Sequence, residues 1–228
     1  MGAVVISLQL TACSGPFSAL DPAGPAARDV AGLWWAMFGF SMLVLIAVTA
    51  LWIYAIRRPA SHADEPSART LQNRWIIWGG LALPLGSIAL LLAFGIPIGH
   101  RMLPLPSADG DVLQIEVTGH QWRWEVHYPE QGIDLANEVH IPVNTPVDVV
   151  LRSNDVIHSF WVPRLGGKMD MIPGRTNVLR LQADEPGVYR GSCAEFCGVG
   201  HAHMQFTVTA HTEEDFARWQ QQAQGGAE

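Results

Sequence analysis

The chain has 228 residues, of which 49 % are hydrophobic and 15 % charged, and its formal net charge is −7. So little charge excludes a plain water-soluble protein over the whole length. The acidic balance gives no footing for a nucleic-acid partner. The apolar residues concentrate before residue 100, which separates membrane segments from one soluble domain.

Residues 1–13 form an apolar stretch ending at Leu10-Thr11-Ala12-Cys13. It resembles a bacterial lipoprotein signal, in which the cysteine (here Cys13) carries the lipid. The apolar core is short and no Lys or Arg precedes it, which departs from the usual signal peptide. Residues 14–30, rich in Pro, Gly and Ala, read as an extended linker on the outer side. Ala31 to Ile56 then run for 26 residues without a charge, enough to cross a bilayer core of ~30 Å. The loop 57–74 carries four arginines against Asp64 and Glu65, and a second uncharged run covers Trp75 to Ile98. Pro84 and the nearby glycines predict a kink there, which membrane helices tolerate. The region 31–98 thus reads as a transmembrane hairpin. Its arginine-rich loop faces the cytoplasm by the positive-inside rule. The N-terminus and residues 99–228 then face outward from a bacterial cell membrane.

From Asp111 onward the periodicity is that of strands. Leu113, Ile115 and Val117 alternate with polar residues. After Gly119 the parity flips to Trp122, Trp124, Val126 and Tyr128, which predicts a bulge or bend. Short runs over 138–143, 147–153, 176–182, 187–191 and 205–209 follow, separated by Pro, Gly, Asn and Asp. Together they predict a sandwich or barrel, closed by a short helix over 212–222.

The chemistry concentrates in Cys193-Ala-Glu-Phe-Cys197-Gly-Val-Gly-His201-Ala-His203-Met204, with His158 upstream in Asn154-Asp155-Val156-Ile157-His158-Ser159. Two cysteines at this spacing outside the cytoplasm are open to a disulfide, and cysteines with a histidine are open to zinc. Thiolate, imidazole and thioether together suit copper. Two thiolates and two imidazoles exceed what one blue-copper centre takes, but they suffice for two ions if each sulfur bridges both. Such a pair shares one unpaired electron and changes geometry little on reduction. His203 competes with His201 for the second imidazole.

The run Cys193-x3-Cys197-x3-His201-x2-Met204, with Asp155-Val156-x-His158-Ser159 upstream, resembles the dinuclear copper site of cytochrome c oxidase subunit II, and the likeness covers nearly the whole chain. It implies a two-helix hairpin followed by an all-β cupredoxin-like Greek-key sandwich, with the metal loop joining the last two strands and His158 on a loop at the same end. It implies two copper ions held by His158, Cys193, Cys197, His201, Met204 and the Glu195 carbonyl. The spacing of the family favours His201 over His203. The Glu195 side chain would reach a magnesium or manganese ion at the border with subunit I. In the segment Gly119-His-Gln-Trp122-Arg-Trp124, Trp122 matches the residue through which cytochrome c delivers electrons, while Trp124 reads as core. Asp170 and Arg175, in the segment 168–175, match a region facing subunit I, and Asp155 is placed to dock cytochrome c. The outer segment 100–228 carries 9 Lys and Arg against 17 Asp and Glu, a net of −8. That suits a basic partner.

The resemblance implies an electron-entry subunit of a proton-pumping oxidase, working with subunit I and subunit III, with oxygen reduced in subunit I. The glutamate that many relatives carry at the start of the second span is replaced here by Gln72, Asn73, Arg74 and Trp75. There is no Cys-x-x-Cys-His signal for a fused cytochrome domain. The rivals are a quinol oxidase subunit without copper, the copper subunit of a nitric oxide reductase, and a membrane-anchored copper carrier.

Overall fold

The computed structural model describes residues 13–59, 65–105 and 112–225; the signal-like residues 1–12 lie outside them. The chain divides into two units, one of Gly32–Arg101 and the other combining the N-terminal segment up to Ala31 with the chain from Met102 on.

The helical unit follows from the two uncharged runs. Helix α1 spans Pro25–Arg57. Its proline sits in the first turn, where a missing N–H costs nothing. Helix α2 (Glu65–Trp75) leads through a π-helical stretch, Ile76–Ala82, into α3 (Leu83–Arg101). The expected disturbance at Pro84 therefore takes a definite form. Proline has no N–H and its ring crowds the preceding turn; in the turns just before it the helix widens, and the Leu83 N–H reaches back to the Trp78 carbonyl. The helical runs Pro25–Arg57 and Pro66–Arg101 are long and apolar enough to cross a membrane, and no residue of their most apolar stretches is buried.

The second unit is a β-sandwich of two five-stranded sheets. One has the order β3-β2-β1-β5-β8, built from β1 (Leu113–His120), β2 (Arg123–Tyr128), β3 (Ile133–Ala136), β5 (Val147–Ser153) and β8 (Asn177–Leu181). The other has the order β4-β10-β9-β6-β7, built from β4 (Glu138–Pro142), β6 (His158–Trp161), β7 (Met169–Met171), β9 (Gly187–Cys193) and β10 (Gln205–His211). Helix α4 (Glu213–Gly225) follows. Alternation places Ile115, Val117, Val126, Val149 and Leu151 in the core. The Tyr128 hydroxyl donates to the His140 carbonyl and accepts from the His140 N–H, tying β2 of one sheet to β4 of the other.

Of the two forms expected for the parity flip after Gly119, a bulge or a bend, the chain takes the bend, as a tight hairpin: β1 and β2 pair antiparallel with His120 opposite Arg123, leaving Gln121 and Trp122 as the turn. Two sequence expectations need correction. His158 opens strand β6 instead of sitting in a loop. Residues 14–30 are not an extended linker. Pro25 to Val30 are already helical, and the residues before them are fastened to the sandwich. The Ala23 N–H donates to the Arg164 carbonyl at 2.7 Å, and the Asp184 N–H donates to the Ala23 carbonyl at 2.9 Å. Arg164 also binds the Asp21 carbonyl, and Arg28 pairs with Asp184. Gly24 permits this approach, since a Cβ there would fall 2.3 Å from the Gln182 carbonyl oxygen.

Candidate metal centre

Strand ends deliver the donors. Cys193 closes β9 and pairs with Phe160 of β6, two residues after His158. The loop that follows is closed at its base by the Cys193 N–H donating to the Met204 carbonyl at 2.9 Å, and steadied by the Ala194 N–H on the Ser159 carbonyl. A short 3-10 turn, His201–His203, brings the chain back into β10. Beneath the loop, Trp124 packs edge-on against Phe160 and Phe206, with the His158 ring 6.1 Å away.

The donor atoms converge. Cys193 Sγ lies 3.9 Å from His158 Nδ1 and 3.2 Å from the Glu195 carbonyl oxygen. Cys197 Sγ lies 3.5 Å from His201 Nδ1 and 3.7 Å from Met204 Sδ. One donor atom from each of His158, Cys193 and Cys197 falls within 4.8 Å of the others. Nitrogen and sulfur ligands of one tetrahedral ion at ~2.0–2.3 Å stand roughly 3.5 Å apart, so these are ligand spacings. Both cysteines are free and buried in this structure. His203 is exposed, whereas His201 faces Cys197.

The electrostatics favour a cation. Burial pushes the Cys197 thiol up to about 12, and the neighbouring Cys193 adds to the shift. Two buried thiols this close resist losing both protons without positive charge to replace them. Burial also disfavours the Asp155 carboxylate, but hydrogen bonds from His158, Val156 and Gln121 outweigh it and hold its pKa below the ordinary range. Asp155 Oδ1 stands 2.8 Å from His158 Nε2, which leaves Nδ1 of that ring toward Cys193. A carboxylate behind a histidine in this way fixes the tautomer and orientation of a metal ligand.

Trp122 is 40 % exposed and its Nε1–H donates to the Cys197 carbonyl at 3.2 Å. The indole rests on the metal loop at glycine: a Cβ on Gly200 would meet it at 2.4 Å. Trp124, by contrast, is buried at 1 % exposure. Glu195 is exposed. Asp170 lies on β7 opposite Ser159, and Arg175 lies in the exposed turn after it, where Gly174 takes a positive φ of 76°. Sequence reasoning passed over Gln121, whose side-chain amide donates to the Cys197 carbonyl at 2.7 Å. It also passed over Phe196 and Val199, which project from the loop at 75 % and 92 % exposure.

Residues 131–211, which contain all these donors, match the family model for the periplasmic domain of cytochrome c oxidase subunit II. Subunit 2 of the cytochrome c oxidase of Alkalihalophilus pseudofirmus is 36 % identical over 226 residues, covering 94 % of this chain and 65 % of that protein. The chain thus spans just under two thirds of that relative. The corresponding subunit of Cereibacter sphaeroides is 30 % identical, covering 89 % of this chain and 80 % of that one. Quinol oxidase subunit 2 of Bacillus cereus is 32 % identical, covering 95 % and 76 %. Among solved structures, the periplasmic domain of cytochrome oxidase subunit II from Bradyrhizobium japonicum is 34 % identical. It aligns with a TM-score of 0.49 over 53 % of this chain and 97 % of that one. From matches that run through the helical segment and the sandwich alike, the chain belongs to the cytochrome c oxidase subunit II family of haem-copper terminal oxidases.

Proposed function

We propose that the chain is the electron-entry subunit of a respiratory cytochrome c oxidase in the bacterial cell membrane. It takes electrons from cytochrome c and delivers them to haem in subunit I, where oxygen is reduced to water and protons are pumped. The observation that carries this reading is the convergence of two thiols, two imidazoles, a thioether and a carbonyl in one loop and one strand end. These residues, His158, Cys193, Glu195, Cys197, His201 and Met204, would hold a pair of copper ions. Copper held by these residues would supply one-electron transfer.

The protein's own part is positioning. Asp155 holds the His158 ring so that Nδ1 faces the thiols. Burial of Cys193, Cys197 and Met204 keeps water from the sulfurs. Trp122 is open to a docked donor on one side and hydrogen-bonded to the Cys197 carbonyl on the other, giving an electron a short route from the surface to a ligand. The acidic outer domain attracts a basic donor, with Asp155 near the entry point and Asp170 and Arg175 on the side given to subunit I. The exposed Glu195 carboxylate is offered to a magnesium ion at that border. Subunit III, and lipid on Cys13, complete the assembly.

The quinol-oxidase relatives support a second reading, in which the subunit takes no electrons itself. A subunit of that kind has no use for a full set of soft donors, and here the set is complete. Copper analysis and electron paramagnetic resonance on the purified full-length oxidase decide between them. The first reading expects two coppers per chain in this subunit and one unpaired electron split by both nuclei. A complex that lacks this signal and turns over with quinol instead of cytochrome c would overturn it.

A further inference from the structure

The hairpin tip Gln121–Trp122 is tied to two ligand-bearing elements at once. The Gln121 backbone N–H donates to Asp155 Oδ2 at 2.7 Å, and the other oxygen of that carboxylate stands 2.8 Å from His158 Nε2. The Gln121 side-chain amide donates to the Cys197 carbonyl at 2.7 Å, shorter than the 3.2 Å bond that Trp122 makes to the same oxygen. One residue therefore links the strand that bears His158 to the loop that bears Cys197. The indole adds a longer hydrogen bond, its Nε1–H to the same carbonyl, and otherwise lies by steric contact against Gly198 and Gly200. An amide with two anchored ends is the stiffer constraint. Hydrogen bonds of such length and partner type fix orientation as well as energy.

We propose that Gln121 is a positioning residue for electron entry. Its side chain fixes the distance and tilt of Trp122 over the metal loop, and it clamps the peptide that follows Cys197. The proposal rests on the electron-entry reading of this site. It assigns Gln121 a role toward the metal loop rather than toward the docking partner.

The test compares Gln121→Leu and Gln121→Ala with the parent chain in the full-length oxidase. Leucine keeps the bulk and loses the donor, and alanine loses both. Three quantities are read: the copper hyperfine pattern and midpoint potential, the kcat and KM with a soluble basic cytochrome c, and amide exchange of the metal-free subunit. Loss of one well-placed hydrogen bond predicts about a tenfold fall in kcat with KM unchanged. It also predicts about fivefold faster exchange confined to the loop 194–204, and a displaced midpoint potential. Retention of parental kcat, potential and loop exchange in both variants overturns the proposal. So does a rise in KM alone, which makes Gln121 a docking contact, and so does faster exchange throughout the sandwich, which makes it a fold residue. If the parent oxidase itself shows no two-copper signal, the electron-entry reading fails instead, and the loop-confined exchange still decides whether Gln121 clamps the loop.

Discussion

Trp122 stands on glycine. Its indole occupies the space that a side chain at Gly200 would take, with Cδ2 only 2.4 Å from the Cβ position. Overlap of that size is relieved by moving one partner, and the tip of an exposed hairpin moves more easily than a loop pinned at Cys193 and Met204. Gly200→Ala is therefore expected to lift the indole off the loop. Reduction by cytochrome c should slow by about tenfold or more, while copper content stays at the parental value. Stopped-flow reduction beside metal analysis checks both halves. The candidate donors were legible because four of the five side chains share one loop, where their spacing is visible along the chain. Gln121 was not, because its value lies in a bond to a carbonyl 76 residues away. Asp155 was legible as a charge near the site, but its hydrogen bond to His158 appears only once β6 is folded.

At the scale of elements, helix α4 is held by a stack of rings. His140 Nδ1 and His211 Nε2 approach to 2.8 Å with rings 13° from parallel, and Trp219 of α4 lies over His140 at 4.3 Å. Burial, and then His211, lower the His140 pKa to about 4, against the opposing pull of Glu138. Burial likewise lowers that of His211, with Asp215 opposing it. Tyr128 closes the back of the pair and stays neutral, its pKa raised by burial. Both histidines are thus kept uncharged by folding. The contribution of His140 is complete above about pH 6.5 and is lost as the pH falls from there toward 4, and that of His211 has the same sign. For His140 the loss should reach about 3 kcal/mol. It should appear as a falling unfolding midpoint and earlier exchange of α4 amides over that interval, with a flatter profile in His140→Gln. The helix was legible from Phe216 and Trp219 at helical spacing; the stack was not. Strands β6 and β7 also escaped notice, for a physical reason. His158, Ser159 and Phe160 are buried in succession, so no alternation marks them, and β7 is a three-residue edge strand.

The whole molecule carries its charge unevenly: the outward segment 100–228 has a net of −8. Attraction over such a face is long-range and screened within a Debye length of about 8 Å at physiological ionic strength. The KM for a basic cytochrome c should therefore rise steeply with added salt while kcat changes little. Steady-state kinetics from low to high ionic strength would show this, and a salt-independent KM would remove the acidic face from the docking account. At this scale the fold was legible as a hairpin plus sandwich, since two uncharged runs and a change to alternation are strong signals. The fastening of residues 18–31 was hidden by composition. Pro, Gly and Ala suit a linker, and they equally suit a backbone pressed close to another backbone, as Gly24 is against Gln182 and Leu165.

That fastening sets a rule for biogenesis. Asp21 and Arg164 are 143 residues apart in sequence, yet they are bonded to each other. Both must finish on the same face of the bilayer, so the intervening chain can cross it only an even number of times. Asp21 to Arg28 must also wait for their partners until the sandwich residues beyond the helical unit are made. A chain that left Asp21 to Arg28 on the other face would present a sandwich with an open seam beside Leu165 and Gln182. Placing Asp21 to Arg28 on the sandwich's side of the bilayer is, in this sense, part of assembling the sandwich itself.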